Sequence, residues 1–186
     1  MTPREGAGRH VVALVLTVWA TGALTGCQTS AGAISASECE GTESRVDKLK
    51  SYAVLDSRPE GTVEPQGFES LDAGCWEDSG DAQLYAERTY VFPGAEADVT
   101  RHYRAAAEQG GWTPSPATRR SLEKQATNLC FTRGETGNAA MLDVYFLTKE
   151  ILDAEESKAG PEFSTGVGYR VSITSSADGS AISCQD

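Results

Sequence analysis

The chain has 186 residues, with 16 Lys+Arg against 27 Asp+Glu and a net charge of −11. That surplus of negative charge opposes non-specific attraction to nucleic acid and to anionic lipid surfaces, so neither is expected to be held by charge. Five cysteines in so short a chain point to an exported, disulfide-permissive setting.

Arg4 and Arg9 precede an apolar run from Val11 to Leu24 that ends in small residues, the pattern of a secretory signal. Fourteen residues rising about 1.5 Å each fall short of a roughly 30 Å hydrocarbon core, so a permanent transmembrane helix is not expected. No adjacent arginine pair occurs, which favours the general secretory route over the twin-arginine one. The run closes on Leu24-Thr25-Gly26-Cys27, which resembles the lipobox of bacterial lipoproteins. That resemblance implies that residues 1–26 are a cleaved signal peptide and that Cys27 becomes the first mature residue. It also implies that Cys27 carries acyl chains such as palmitate and holds the protein at the outer face of the cytoplasmic membrane. The lipid then supplies the membrane contact that an acidic surface does not. Losing Arg4, Arg9 and Glu5 with the leader takes the net charge to −12 and leaves 160 residues, enough for one compact domain.

The mature chain begins with a polar, small-residue stretch, and residues 27–38 read as a flexible tether with a reach on the order of 20 Å. Residues 39–186 are expected to form a single domain. Thr42 is placed to cap a short helix over Glu43 to Tyr52, with Val46, Leu49 and Ala53 on one side. Pro59, Gly61, Pro65 and Gly67 interrupt regular structure. Phe68 to Trp76 reads as a first strand, Asp78-Ser79-Gly80-Asp81 as a turn, and Leu84 to Phe92 as a second strand with Arg88 the odd member of its apolar face.

Ala95 to Gln109 carries the strongest helical pattern, with Glu96 and Asp98 in its first turn and Gly110-Gly111 stopping it before Trp112. Val99, Tyr103, Ala106 and Gly110 trace its buried side, while Arg101, Arg104 and Glu108 are expected to face water. Thr113 to Gln125 reads as an exposed connection, and Leu129–Thr132 with Met141–Leu147 as a hairpin. Lys149 to Gly166 reads as an acidic loop. Tyr169, Val171 and Ile173 alternate with Arg170, Ser172 and Thr174 as a one-sided strand, and Asp178-Gly179 as a final turn. The expected class is α+β, an antiparallel sheet of about five strands with one long helix on one face and a short N-terminal helix.

With Cys27 assigned to lipid, Cys39, Cys75, Cys130 and Cys184 remain for two disulfides. None belongs to a Cys-x-x-Cys pair, so neither a zinc knuckle nor a thioredoxin-like site is suggested. Four cysteines allow three connectivities. Cys75–Cys130 with Cys39–Cys184 is the preferred expectation, because the first bridge would clamp the sheet and the second would join the domain's two ends. Cys39–Cys75 with Cys130–Cys184, and Cys39–Cys130 with Cys75–Cys184, stay open.

No local set argues for catalysis. His102 is the one histidine left after processing, too few for a histidine zinc site, and no Gly-x-Ser-x-Gly elbow accompanies it. The turn at Asp78–Asp81 lacks the further carboxylates of an EF-hand, so no metal is expected. Gly166-x-Gly168 precedes a strand and not a helix, so the dinucleotide fingerprint fails and no cofactor is implied. Glu155-Glu156 and the group Glu38, Glu40, Glu43 read as solvated charge. Tyr85, Tyr90, Tyr145, Tyr169, Trp76 and Trp112 could line a ligand groove, but aromatics at strand and helix-end positions are expected in the core.

Leu24–Cys27, the strand Arg88–Phe92, and His102-Tyr103-Arg104-Ala105-Ala106 through Gly110-Gly111-Trp112 together resemble the small exported lipoproteins of actinobacteria. The functional expectation is a non-enzymatic binding or accessory module at the cell envelope, facing a protein, glycan or small-molecule ligand and no nucleic acid. The alternative is an envelope-directed hydrolase built on dispersed carboxylates, for which two facing carboxylates in one pocket would be the signature.

Overall fold

The computed structural model describes residues 38–78, 81–120, 128–135, 137–157 and 160–184. The expected signal segment, Cys27 and all of the expected tether but Glu38 therefore lie outside the described residues, as do Ser79 and Gly80 of the expected first hairpin turn. From Cys39 the elements run α1 (Glu43–Lys50), β1 (Asp72–Asp78), β2 (Asp81–Phe92), α2 (Glu96–Gln109), β3 (Thr113–Pro114), α3 (Pro116–Arg120), β4 (Asn128–Arg133), β5 (Ala140–Phe146), α4 (Lys149–Ala154) and β6 (Val167–Ser176). Short 3-10 turns span Ala53–Leu55 and Pro161–Ser164.

All six strands lie in one antiparallel sheet, in the order β1-β2-β6-β5-β4-β3. The class is α+β, with one strand more than expected. The extra strand is β3, in a stretch that reads as an exposed connection. Thr113 and Pro114 pair with Thr132 and Phe131, and Ser115 and Thr118 behind them are buried. Two residues are too few to leave an alternating signal, which is why the pattern misses them. Lys149–Gly166 is likewise not simply loop. Thr148 caps α4 by accepting a hydrogen bond from the Ile151 N–H, and Leu152 is buried beneath it.

The two faces of the sheet differ sharply. On one face Leu84, Ala86 and Tyr90 of β2, Tyr169, Val171 and Ile173 of β6, Leu142 and Val144 of β5, and Leu129 and Phe131 of β4 form the core. The helix α1 covers the β1–β2 side of that face and α2 the β4–β5 side, through Leu49, Val99, Tyr103, Ala107 and the anchoring Trp112. Tyr90, Tyr103 and Tyr169 meet there, with Tyr169 ring centroids 5.6 Å from each of the other two. Burial of such rings supplies most of the favourable free energy, and their hydroxyls still need partners. Tyr90 donates to the Leu55 carbonyl at 2.8 Å and Tyr103 to the Ser57 carbonyl, which pins the 3-10 turn onto the sheet.

Of three smaller expectations, two change and Arg88 stands on the face expected of it. Thr42 makes no side-chain cap on α1; its hydroxyl donates instead to the Cys39 carbonyl at 2.7 Å, closing the preceding turn. Arg88, on the core face of β2, reaches the rim to pair with Asp56 at 3.1 Å. Arg104 is half-buried, with Nε and Nη2 shielded and no hydrogen bond to either, so it does not face water as expected.

The disulfides are Cys39–Cys75 and Cys130–Cys184, with Cα separations of 5.6 and 5.9 Å. The preferred pairing of Cys75 with Cys130 is overturned by the strand order. β1 and β4 are separated by β2, β6 and β5, which puts their backbones about 19 Å apart at the usual strand spacing. A disulfide needs Cα atoms within about 7 Å. Cys75 also shares the core face, across from Leu84, whereas Cys130 sits across from Asp143 on the opposite face.

Non-reducing peptide mapping should recover one linked fragment containing Cys39 and Cys75 and another containing Cys130 and Cys184. Each bridge is expected to stabilise by about 4 kcal/mol on the chain-entropy relation, and any fragment linking Cys75 to Cys130 would refute this topology. On α2, Tyr103→Ala should cost about 3–5 kcal/mol, because it empties a fully buried ring site and leaves the Ser57 carbonyl without its donor. Arg101→Ala, on the exposed side, should cost under about 0.5 kcal/mol. Equal losses in urea denaturation would show that the helix is rotated from this phase.

Candidate functional site

The register of the sheet assembles the face opposite the core. Glu87 of β2 and Asp143 of β5 both lie across from Ser172 of β6, and Asp72 of β1 lies across from Glu87. One row across four strands thus reads Asp72, Glu87, Ser172, Asp143. The next row reads Thr89, Arg170, Tyr145. Antiparallel alternation forces this placement, since every second residue of a strand points to the same side.

Arg170 is the centre of the face. It was expected on the solvent side of a one-sided strand, yet it is only 7% exposed. Its Nη1 and Nη2 donate to Glu155 Oε1 and Oε2 at 2.9 and 2.8 Å, Nη1 also to the Tyr145 hydroxyl at 3.0 Å, and Nε to Thr89 Oγ1 at 3.2 Å. Glu87 Oε1 stands 3.5 Å from Nε. The guanidinium also lies 5.8 Å from the centroid of the Tyr145 ring. Burial opposes the charge of Arg170, but Glu155 and Glu87 outweigh it and hold the guanidinium more firmly protonated than usual. Glu155, read from sequence as solvated charge, is in fact the bidentate partner that follows α4.

Beside this cluster lies a cleft of about 410 Å³. Asp72, Glu87 and Thr89 form its floor with Arg170, and Gly67, Phe68 and Ser70 form one wall, with Glu155 and Ser157 opposite. Phe68 packs edge-on against Phe163, with ring centroids 5.8 Å apart. Gly168 makes room for that arrangement: a Cβ there would come within 2.7 Å of the Phe163 ring. Gly166 serves a different approach, since a Cβ there would run into the Phe92 carbonyl and the Val91 side chain. Beyond Phe163 a second, more apolar cleft of about 520 Å³ is bounded by Phe146, Leu147, Leu152 and Val167.

The acidic groups on this face do not behave alike. Burial pushes Glu87 above the usual carboxylate range; Arg170 pulls it down, while Asp72 and Glu155 push it further up. Asp143 has no hydrogen-bond or ion-pair partner among the described residues, and burial raises it from 3.8 to about 6. Sequence reasoning missed all of these. The only signal for them was alternation in β2, β5 and β6, which identifies a face but not which polar residues on it are shielded.

The candidates singled out in the sequence are distributed across the molecule. Tyr90, Tyr169 and Trp112 belong to the core, Tyr85 and Tyr145 are half-buried on the polar face, and Trp76 is 54% exposed on β1. His102 Nε2 lies 2.8 Å from Ser57 Oγ, and burial holds the ring below its usual pKa. No carboxylate hydrogen-bonds that histidine among the described residues, and the contact ties α2 to the loop after the 3-10 turn. Among the described residues no group of three or more His, Cys, Asp or Glu is arranged to hold a metal ion, and no helix is long and apolar enough to cross a membrane. Cys39, Cys75, Cys130 and Cys184 serve as the two staples.

No protein-family model matches this chain, and no curated protein or solved structure matches it either.

Because Asp143 titrates higher in the folded state than unfolded, its favourable contribution is complete below about pH 4 and is lost as the pH rises through about 6. Asp143→Asn removes the buried charge without changing the side-chain shape. The variant should melt with wild type at pH 4 and above it at pH 8, followed by circular dichroism. A variant less stable than wild type at pH 8 would mean that the carboxylate has a partner.

Proposed function

We propose that this chain is an exported, lipid-anchored binding module, held by Cys27 at the outer face of the cytoplasmic membrane and taking its ligand in the cleft beside Arg170. The observation that carries the reading is the treatment of Arg170: a shielded charge on the non-core face of a sheet, fastened by Glu155, Tyr145, Thr89 and Glu87 next to an open cleft. Burying a charge costs several kcal/mol unless its partners are well placed, so such a cluster is an expensive way to make a surface but a rigid way to make a binding floor. Of the three carboxylates lining the cleft, Glu87 and Glu155 face the guanidinium, which suits those two to position and not to pass protons. An acidic surface gives the module no second hold on an anionic membrane, so the lipid carries the attachment.

A second reading, an envelope-directed hydrolase, is favoured by one observation. Glu87 and Asp143 flank Ser172 from two strands apart, so their backbones stand about 10 Å from each other, and burial raises Asp143 to about 6. That arrangement resembles an acid and base pair facing each other across a bond to be broken.

The test uses the full-length lipidated protein recovered from intact membranes after cross-linking. Ser70→Trp fills the cleft from its exposed wall, and Glu108→Gln changes an exposed residue on α2. The material captured by wild type should be retained by Glu108→Gln and lost by Ser70→Trp, with all three melting alike. Capture that survives Ser70→Trp would move the site elsewhere. Turnover of envelope glycans or esters that disappears in Asp143→Asn would replace the module by the hydrolase.

A further inference from the structure

The chemistry of the cleft identifies the class of ligand. We infer that it takes a small organic cation, an amine or polyamine, whose N–H groups meet Asp72, Glu87 and the free lone pairs of Glu155. This inference rests on the reading of the cleft as the ligand site and adds the occupant.

The argument is an inventory of donors and acceptors. A guanidinium offers five N–H donors and no acceptor. Those of Arg170 go to Thr89, Tyr145 and both oxygens of Glu155, with Glu87 3.5 Å from Nε. Its charge is also already faced by two carboxylates. A phosphate or carboxylate entering the cleft would therefore find its one cation already faced by two carboxylates, with a single guanidinium N–H, on Nη2, left without a partner among the described residues, inside a ring of like charge.

Acceptors remain in excess. Asp72 has no ion pair with a basic side chain among the described residues, and it lies directly across from Glu87 in the register. With Asp72, Glu87 and Glu155 against Arg170, the lining carries two more negative charges than positive. The hydroxyls of Ser70 and Ser157 on the two walls can accept as well. A cation relieves the repulsion among the carboxylates and a neutral ligand does not. Burial holds Glu87 above the usual carboxylate range even with Arg170 beside it, and Asp72 and Glu155 add to the rise. The volume, about 410 Å³, lies in the range of small-molecule sites and excludes a folded partner from its floor.

The experiment is calorimetric titration of the full chain in non-ionic detergent micelles with three probes: spermidine, inorganic phosphate and a neutral chito-oligosaccharide. Spermidine should bind saturably and more weakly as salt is raised, and phosphate should not bind. Asp72→Asn, at an exposed position on the edge strand, should weaken spermidine about tenfold, equivalent to about 1.4 kcal/mol, with the melting temperature unchanged. Glu108→Gln, which removes one carboxylate from α2, should leave binding as in wild type. Equal effects of the two substitutions, or no spermidine binding, would overturn the cation assignment. If the neutral sugar binds instead and Ser70→Trp abolishes that binding, the cleft stands as the ligand site and only the class of occupant falls.

Discussion

The structure depends on the last strand entering the middle of the sheet. β6 pairs with β2 on one side and β5 on the other, so the hairpin β1–β2 and the unit β3–β4–β5 have no contact ladder between them until β6 is in place. Every strand ladder that joins the two halves must wait for a segment more than 70 positions downstream of β2. Such non-local pairing is slow to form because loop-closure entropy is spent before the contacts reward it. The two disulfides share the work unequally. Cys39–Cys75 fastens the first half to the N-terminal turn, while Cys130–Cys184 draws the segment after β6 back to β4. The second bridge therefore holds β6 in register from its far end.

Placing β6 centrally also explains its composition. Its core side carries Tyr169, Val171 and Ile173, each fully buried. Its other side carries Arg170 and Ser172, each 7% exposed, under a cover supplied by the segment that follows α4. A strand shielded on both sides is normally apolar throughout. Here one side is polar, and its cost is offset by a bidentate ion pair and three further contacts to the same guanidinium. Loss of Glu155 would leave a shielded charge short of its main partner, which is far costlier than never having built the pair.

Much of the architecture was readable from sequence where elements are long and one-sided. α2 begins one residue from the expected start and ends at the expected Gln109, because its apolar stripe and glycine stop are both local. β5, β6 and β2 follow from alternation in the same way. β3 and α4 escape because two and six residues carry too little pattern, and because what orders them is tertiary: the β4 edge for one, Leu152 burial for the other. The site was illegible for a related reason. Asp72, Glu87, Asp143, Glu155 and Arg170 are spread over almost a hundred positions, and only the strand order makes them neighbours. Reading Glu155 as solvated charge was reasonable on composition, and the correction comes from a partner fifteen residues away on another element.

The same strand order separates the first disulfide from the cleft. Cys75 faces the core side of β1, so the Cys39–Cys75 bridge secures the incoming chain on the side covered by α1. Asp72, three residues earlier on β1, faces the other side and forms part of the cleft. An odd spacing within a single strand thus assigns one residue to the staple and the other to the floor.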